Sequence, residues 1–308
     1  MSRARIVITG MGCISPLGNT LESTWDRLIK GQSGVANITH FDATDFKTKF
    51  AAEVKDFNPA EHLGVKVARR SDRFTQFAVV TAQQALTHSG LAINDDNRDR
   101  VGVVLGTGIG GVGTLVQESF KYGKRGPSRV SPFLVPMMLP DSGPGQVASE
   151  FGLRGPNIAV VSACASSANA IGEAGEIIRR GSADVILAGG AEAAIVDLAV
   201  AGFNAMDAIS KRNDDPEAAS RPFDLDRDGF VSGEGGAMLV LENYDHAVER
   251  GAPILAELVG YGVTNDAFHI SAPAMNGEGA ARCMSLALQD ASLEPEDIDY
   301  INAHGTST

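Results

Sequence analysis

An apolar run at residues 158–163 ends at Ser162-Ala163-Cys164 and gives way at once to a helical pattern over residues 166–180. That helix carries Gly172 and Gly175 in its interior, each costing about 1 kcal/mol relative to alanine, and it adds Ala168, Ala170 and Ala174. A solvated helix gains nothing in return. A helix pressed between other layers does, because small side chains let backbones approach closely. The feature predicts a layered α/β molecule with a strand–turn–helix unit at its centre and a thiol at the turn.

The rest of the chain extends the same alternation. Further strands are predicted at 5–9, 101–105, 183–188, 237–241, 254–259 and 298–303, and helices at 20–29 and 278–291. A long helix is expected to be capped by Ser71 and ended by Gly90, with Phe74, Ala78, Ala82 and Ala85 on one face. Strands alternating with helices define an α/β class. With 308 residues, 44% of them hydrophobic, the chain can fill one large core or two fused halves. Residues 202–235 read as a long polar loop, and loops of that length are usually functional or disordered.

The thiol at the turn admits two readings. A strand that turns sharply into a helix resembles a nucleophile elbow. There the helix N-terminus favours thiolate and can hold a developing oxyanion. Alternatively, Cys164 is a small buried hydrophobe, as free cysteines commonly are. Cys283, on a helix face with Ala280 and Ala287, and Cys13, after the first strand, read as structural. Three sparse cysteines form no disulfide framework and fit a reducing cytoplasm. His304, followed by Gly305-Thr306-Ser307-Thr308 at a strand end, is a second candidate, because a distant histidine often partners a nucleophilic cysteine. An ordinary loop histidine is the alternative. The other histidines read as structural or surface residues.

Several functions are disfavoured. A net charge of −12 argues against nucleic acid, and no apolar stretch is long enough to span a bilayer. Gly106-Thr107-Gly108-Ile109-Gly110-Gly111 matches a dinucleotide fingerprint, but the acidic strand end expected about 20 residues on is absent. A glycine loop that shapes a substrate pocket fits better. Asp224 to Gly229 resembles the start of a calcium loop, yet position twelve is Gly235 rather than glutamate. On this acidic chain, Lys66, Arg69 and Arg70, then Lys121, Lys124, Arg125 and Arg129, form basic clusters. They are either solvated surface or a dock for an acidic partner.

Taken together, six blocks resemble the elongating β-ketoacyl-[acyl-carrier-protein] synthases, with synthase II of bacterial fatty-acid synthesis as the nearest branch. They are Ile8-Thr9-Gly10-Met11-Gly12 with Ser15-Pro16-Leu17-Gly18, the 106–111 glycine loop, Gly155-Pro156-Asn157 with Ser162 to Ala174, Arg221-Pro222-Phe223-Asp224 with Asp228-Gly229-Phe230, Gly233-Glu234-Gly235, and Asn302 to Thr308. The resemblance covers the whole chain in order.

It implies a thiolase-like five-layer αβαβα fold whose second half is incomplete here. Residues 1–250 would form the N-terminal half and residues 251–308 the beginning of the C-terminal half. It implies a cytoplasmic homodimer that uses no metal or other cofactor. Cys164 would take an acyl group from acyl-carrier protein and pass it to the carbanion left when malonyl-carrier protein loses CO₂. His304 would stabilise charge on the malonyl thioester oxygen. Thr306 and Thr308 would hold the pantetheine arm, and Ile109 and Phe203 would border the acyl pocket. Lys66, Arg69, Arg70, Lys124, Arg125 and Arg129 would dock the carrier.

The chain departs from the family pattern at Asp207, where relatives carry a basic residue. It also lacks the family's lysine, second histidine and terminal glycine-rich loop. Asp207 implies weaker carrier docking, and the missing segments imply an incomplete sequence whose Cys164 can still be acylated but whose condensation is impaired. A polyketide-type ketosynthase, a non-catalytic chain-length-factor-like subunit and, more remotely, an oxidoreductase are the competing readings.

Overall fold

The computed structural model describes residues 3–308. The chain opens with β1 (Ile6–Ile14) and α1 (Leu21–Leu28), then the short β2 (Ala36–Asn37) and β3 (Phe50–Ala51). There follow α2 (Pro59–Ala68), α3 (Arg73–Ser89), β4 (Val101–Gly106), α4 (Val112–Arg125), α5 (Leu134–Met138) and α6 (Ser142–Phe151). The central unit is β5 (Asn157–Val160), α7 (Ser166–Arg179) and β6 (Val185–Glu192). After it come α8 (Asp197–Ala205), β7 (Gly235–Asn243), α9 (Tyr244–Glu249), β8 (Ala256–Glu257) and α10 (Glu278–Ala291).

The main sheet has the order β5-β4-β6-β7-β1-β8. β5, β4 and β6 run parallel, while β7 is antiparallel to both β6 and β1. β4 shows why this sheet lies inside the molecule. All six of its residues are buried. Val101, Val103 and Leu105 join the core beneath α3 and α6, whereas Val104 joins Ala170, Ala174, Ile177 and Ile178 of α7 on the other face. A strand covered on both sides reads as one apolar run, with its period of two hidden.

On one face, α3 buries Phe74, Phe77, Ala78, Ala82 and Ala85. The expected Ser71 cap is corrected to Asp72, whose carboxylate accepts the Phe74 N–H. The Ser71 hydroxyl instead donates back to the Val67 carbonyl. Gly90 closes the helix in the left-handed conformation, as the sequence predicts.

On the other face, the small residues of α7 admit the chain that follows β8. A Cβ at Gly172 would lie 2.3 Å from the Tyr261 ring, and one at Gly175 would lie 3.0 Å from Leu258. Such overlap would force the ring away, so the glycine cost at Gly172 is offset by an aromatic contact.

The C-terminal segment differs from expectation. The strand predicted at 254–259 contracts to the two residues of β8, paired with Val7 and Ile8 at the sheet edge. The strand predicted at 298–303 does not form: Ile298, Tyr300 and Ile301 are exposed, and no strand among the described residues pairs with them. The polar loop predicted at 202–235 begins inside α8, which the sequence reading missed. It is tied down where the Thr48 hydroxyl donates to the Ser210 carbonyl and Asn213 donates to the Lys47 carbonyl. No helix among the described residues is long and apolar enough to cross a membrane.

Candidate active site

Between β5 and α7 the backbone makes a strained turn. Ala163 adopts a left-handed conformation, with φ 52°, although it is not glycine, and such residues cluster at functional turns. Side chains stitch the turn together. The Ser162 N–H donates to Ser166 Oγ at 2.9 Å, and the Ser166 hydroxyl donates to the Ala163 carbonyl at 2.7 Å. The Ser162 hydroxyl donates to Asn169 Oδ1 at 2.6 Å, and Asn169 Nδ2 donates to the Tyr261 oxygen at 2.9 Å. Cys164 sits in the single 3₁₀ turn Ala163–Ala165 that leads into α7, and its side chain is exposed. The buried-hydrophobe reading therefore fails.

The other two cysteines differ from it. Cys13 is half-buried in β1, and burial pushes its thiol up. Cys283 is also half-buried, and its thiol donates to the Gly262 carbonyl.

The turn sits directly on the strand ends. A Cβ at Gly106 would lie 2.3 Å from the Ser166 backbone, and one at Gly190 would lie 1.9 Å from Ser167 Oγ. Glycine at those positions brings α7, β4 and β6 together around a cleft of about 600 Å³. Cys164, Ile109, Phe203, Phe230 and Glu192 line it. The Phe203 and Phe230 rings meet edge-on, with centroids 5.1 Å apart. The two residues expected at an acyl pocket, Ile109 and Phe203, thus share a cleft with Cys164. The glycine loop forms part of the same wall.

Glu192 was not singled out from the sequence. Its only signal is a lone acid at the C-terminal edge of a buried parallel strand, where sites in α/β sheets collect. Its Oε2 accepts the N–H of Gly108 at 2.6 Å and that of Ile109 at 3.2 Å. Burial raises its carboxyl above the usual glutamate range, and those donors pull the other way.

His304, Thr306 and Thr308 line a different cleft, of about 730 Å³, against the loop 265–273. His269, exposed as its reading as a structural or surface residue expects, lies there too. The structure does not place His304 on the wall of the Cys164 cleft. One backbone bond links the segments beside the two clefts: the Gly229 N–H donates to the Ser307 carbonyl, and the next residue, Phe230, lines the Cys164 cleft. The Arg221 N–H donates to Ser307 Oγ, and Arg227 Nε donates to the Thr308 carbonyl.

Lys66, Arg69, Arg70, Lys124, Arg125 and Arg129 are all exposed. The Arg70 guanidinium lies 4.5 Å from the centroid of the Phe133 ring, which ties the end of α2 to the chain just beyond the second basic cluster. Asp207 pairs with Lys47 and Lys211. In the calcium-like stretch, Asp228 accepts from Ser210, Lys211 and Arg221. Among the described residues, no group of three or more His, Cys, Asp or Glu side chains is placed to hold a metal ion.

Two sequence families match the chain. The one described as Beta-ketoacyl synthase, N-terminal domain, covers residues 3–247, and Beta-ketoacyl synthase, C-terminal domain, covers residues 255–308. The 3-oxoacyl-[acyl-carrier-protein] synthase 2 of Staphylococcus aureus strain N315 is 51% identical over 304 residues, 99% of this chain and 73% of that protein. A solved β-ketoacyl synthase from Burkholderia phymatum STM815 superposes with a TM-score of 0.91 at 38% identity, over 99% of this chain and 74% of that one. A type II polyketide ketosynthase, solved with its acyl-carrier protein and bound to a hexaketide, gives a TM-score of 0.90 at 33% identity, over 100% and 74% of the two chains. The fold is therefore the thiolase-like ketosynthase fold.

Proposed function

The chain belongs to the β-ketoacyl synthase family, and we propose that it is a 3-oxoacyl-[acyl-carrier-protein] synthase of the synthase 2 type, acting in fatty-acid elongation. The observation that carries this reading is Cys164, exposed on a strained strand-to-helix turn and lining an apolar cleft.

The Cys164 sulfur attacks the carbonyl of an acyl-carrier thioester. The phosphopantetheine thiol leaves with a proton, and the acyl group stays on the enzyme as a thioester. Ile109 and Phe203 border the chain. Malonyl-carrier protein then loses CO₂, and its carbanion attacks the acyl carbonyl. The bond to sulfur breaks, leaving a 3-oxoacyl carrier longer by one two-carbon unit. His304 donates a hydrogen bond to the malonyl thioester oxygen as charge develops there. Thr306 and Thr308 hold the pantetheine arm.

The partner is an acyl-carrier protein. Such carriers are acidic, so the exposed cations from Lys66 to Arg70 and from Lys124 to Arg129 supply complementary charge. Asp207, already neutralised by two lysines, adds little repulsion. A second copy of the chain covers β5, which ends the sheet among the described residues and leaves Ile158 42% exposed, with Val161 just past it 55% exposed.

Fatty-acid rather than polyketide substrates are favoured by the 51% identity to the S. aureus enzyme, against 33% to the polyketide ketosynthase. The exposed Cys164 counts against a non-catalytic subunit. A single-turnover experiment with acyl-carrier protein, followed by malonyl-carrier protein, tests the reading. A mass increase on Cys164 equal to the acyl group is expected. No acylation by any acyl-carrier protein would overturn it.

A further inference from the structure

We propose that Glu192 is a positioning residue that sets acyl-chain selectivity by holding the 106–111 loop, and with it Ile109, at the wall of the Cys164 cleft. The inference rests on the reading of Cys164 as the acyl acceptor.

The loop is poor in anchors of its own. Gly106, Gly108, Gly110 and Gly111 have no side chains, and glycine has the widest backbone freedom of any residue. Its far end is held where the Gly111 N–H donates to the Met138 carbonyl. Its middle hangs on one carboxylate. Glu192 Oε2 accepts the Gly108 and Ile109 N–H groups, and Oε1 accepts the Thr107 hydroxyl at 3.3 Å. Thr107 Oγ1 in turn accepts the Gly110 N–H at 3.1 Å. Gly108 and Ile109 therefore take their places from Glu192 directly and Gly110 through one hydroxyl, whereas the Thr107 backbone is held by the Val160 carbonyl and the Ser166 hydroxyl. A Cβ at position 108 would come within 2.9 Å of Oε2, so the loop approaches the carboxylate as closely as glycine permits.

The anchor itself is rigid. Glu192 ends β6, whose seven preceding residues are all buried. The Ile109 side chain, 44% exposed, lines the cleft beside Cys164, and its own N–H is one of the bonds to the carboxylate. Fixing that backbone fixes where the isoleucine stands, and a fixed wall discriminates chain length better than a mobile one. Glu192 also borders the Cys164 cleft, which raises the alternative that it takes a proton from the thiol. Its oxygens are already committed to three donors, so a positioning role fits the geometry better.

The test uses the full chain and saturated acyl-carrier proteins of graded length, with acylation of Cys164 followed by intact mass. In E192A, the ratio between the best and worst acyl lengths should fall by about tenfold, within the range pocket shape commonly supplies. Alkylation of Cys164 by iodoacetamide should stay within about twofold of the parent, because thiol reactivity follows ionisation and access rather than the cleft wall. E192Q keeps one oxygen for the two amides and should fall between E192A and the parent. Should E192A fail to fold, T107V removes only the hydroxyl link and should flatten selectivity more mildly. A folded E192A or T107V with unchanged selectivity would overturn the proposal. So would alkylation that falls in step with acylation, which would mean that Glu192 acts on the sulfur. A parent chain that no acyl-carrier protein acylates would instead defeat the underlying reading.

Discussion

The two clefts are built from different material. The one at Cys164 is walled by strand ends and a helix start, all resting on buried sheet. The one at His304 is walled by irregular chain at 265–273 and 304–308, where Phe268 and Ile270 stand exposed. Cys164, the proposed acyl acceptor, sits where a strand passes into a helix, and sites on such elements are held more tightly than sites on loops. The groups assigned to the pantetheine arm and the malonyl oxygen sit on irregular chain, tied to the loop before β7 by Arg221, Arg227 and Gly229.

The sharpest way to break this comparison is to disable each cleft in turn. C164A should abolish acyl-enzyme formation outright, read by intact mass. H304A should leave acyl transfer within a few-fold and slow malonyl decarboxylation by about 10²–10³, the usual cost of losing one oxyanion donor. Equal loss of acylation in both variants would mean that the clefts act as one.

The packing beneath the Cys164 turn can be tested next. G190A drives a methyl into Ser167 at the Cys164 turn and should lower stability by about 1–3 kcal/mol, measured by denaturant unfolding. Acid probes the body of the sheet in another way. Burial alone would raise the carboxyl of Glu242, but donors from Arg250, Thr9 and His246 more than offset it and hold the group below the usual range. Its contribution to stability is therefore fully present above the ordinary glutamate value of about 4.3. It is lost as pH falls through the lower folded value. Replacing Glu242 with Gln should flatten that acid limb of the unfolding curve. The smallest effect belongs to the loop: I270S, at a side chain 99% exposed, should change stability by no more than about 0.5 kcal/mol.

Much of the sheet and its central unit was legible because apolar runs and helical spacing state burial directly. Residues 101–105 and 278–291 were readable in this way, and both elements formed. What failed depended on neighbours distant in sequence. Ser71 and Asp72 are both good caps, and the choice between them involves Thr114, whose N–H and hydroxyl also bind Asp72. Residues 298–303 carry a strand-like pattern, but a strand exists only with a partner beside it. At the site, Cys164 announced itself by its turn. Glu192 did not, because its role depends on amides 83 and 84 residues away in the chain, and a lone acid at a strand edge says nothing about what it will meet.

The left-handed backbone at Ala163 carries a consequence for anyone randomising this protein. In a saturation library selected for thiol acylation, position 163 should lose valine, isoleucine and threonine, whose branched side chains resist that dihedral. Glycine and asparagine should survive beside alanine. The depletion would look like intolerance of bulk near the acyl chain, yet it would persist for acyl donors of every length, because it originates in main-chain torsion.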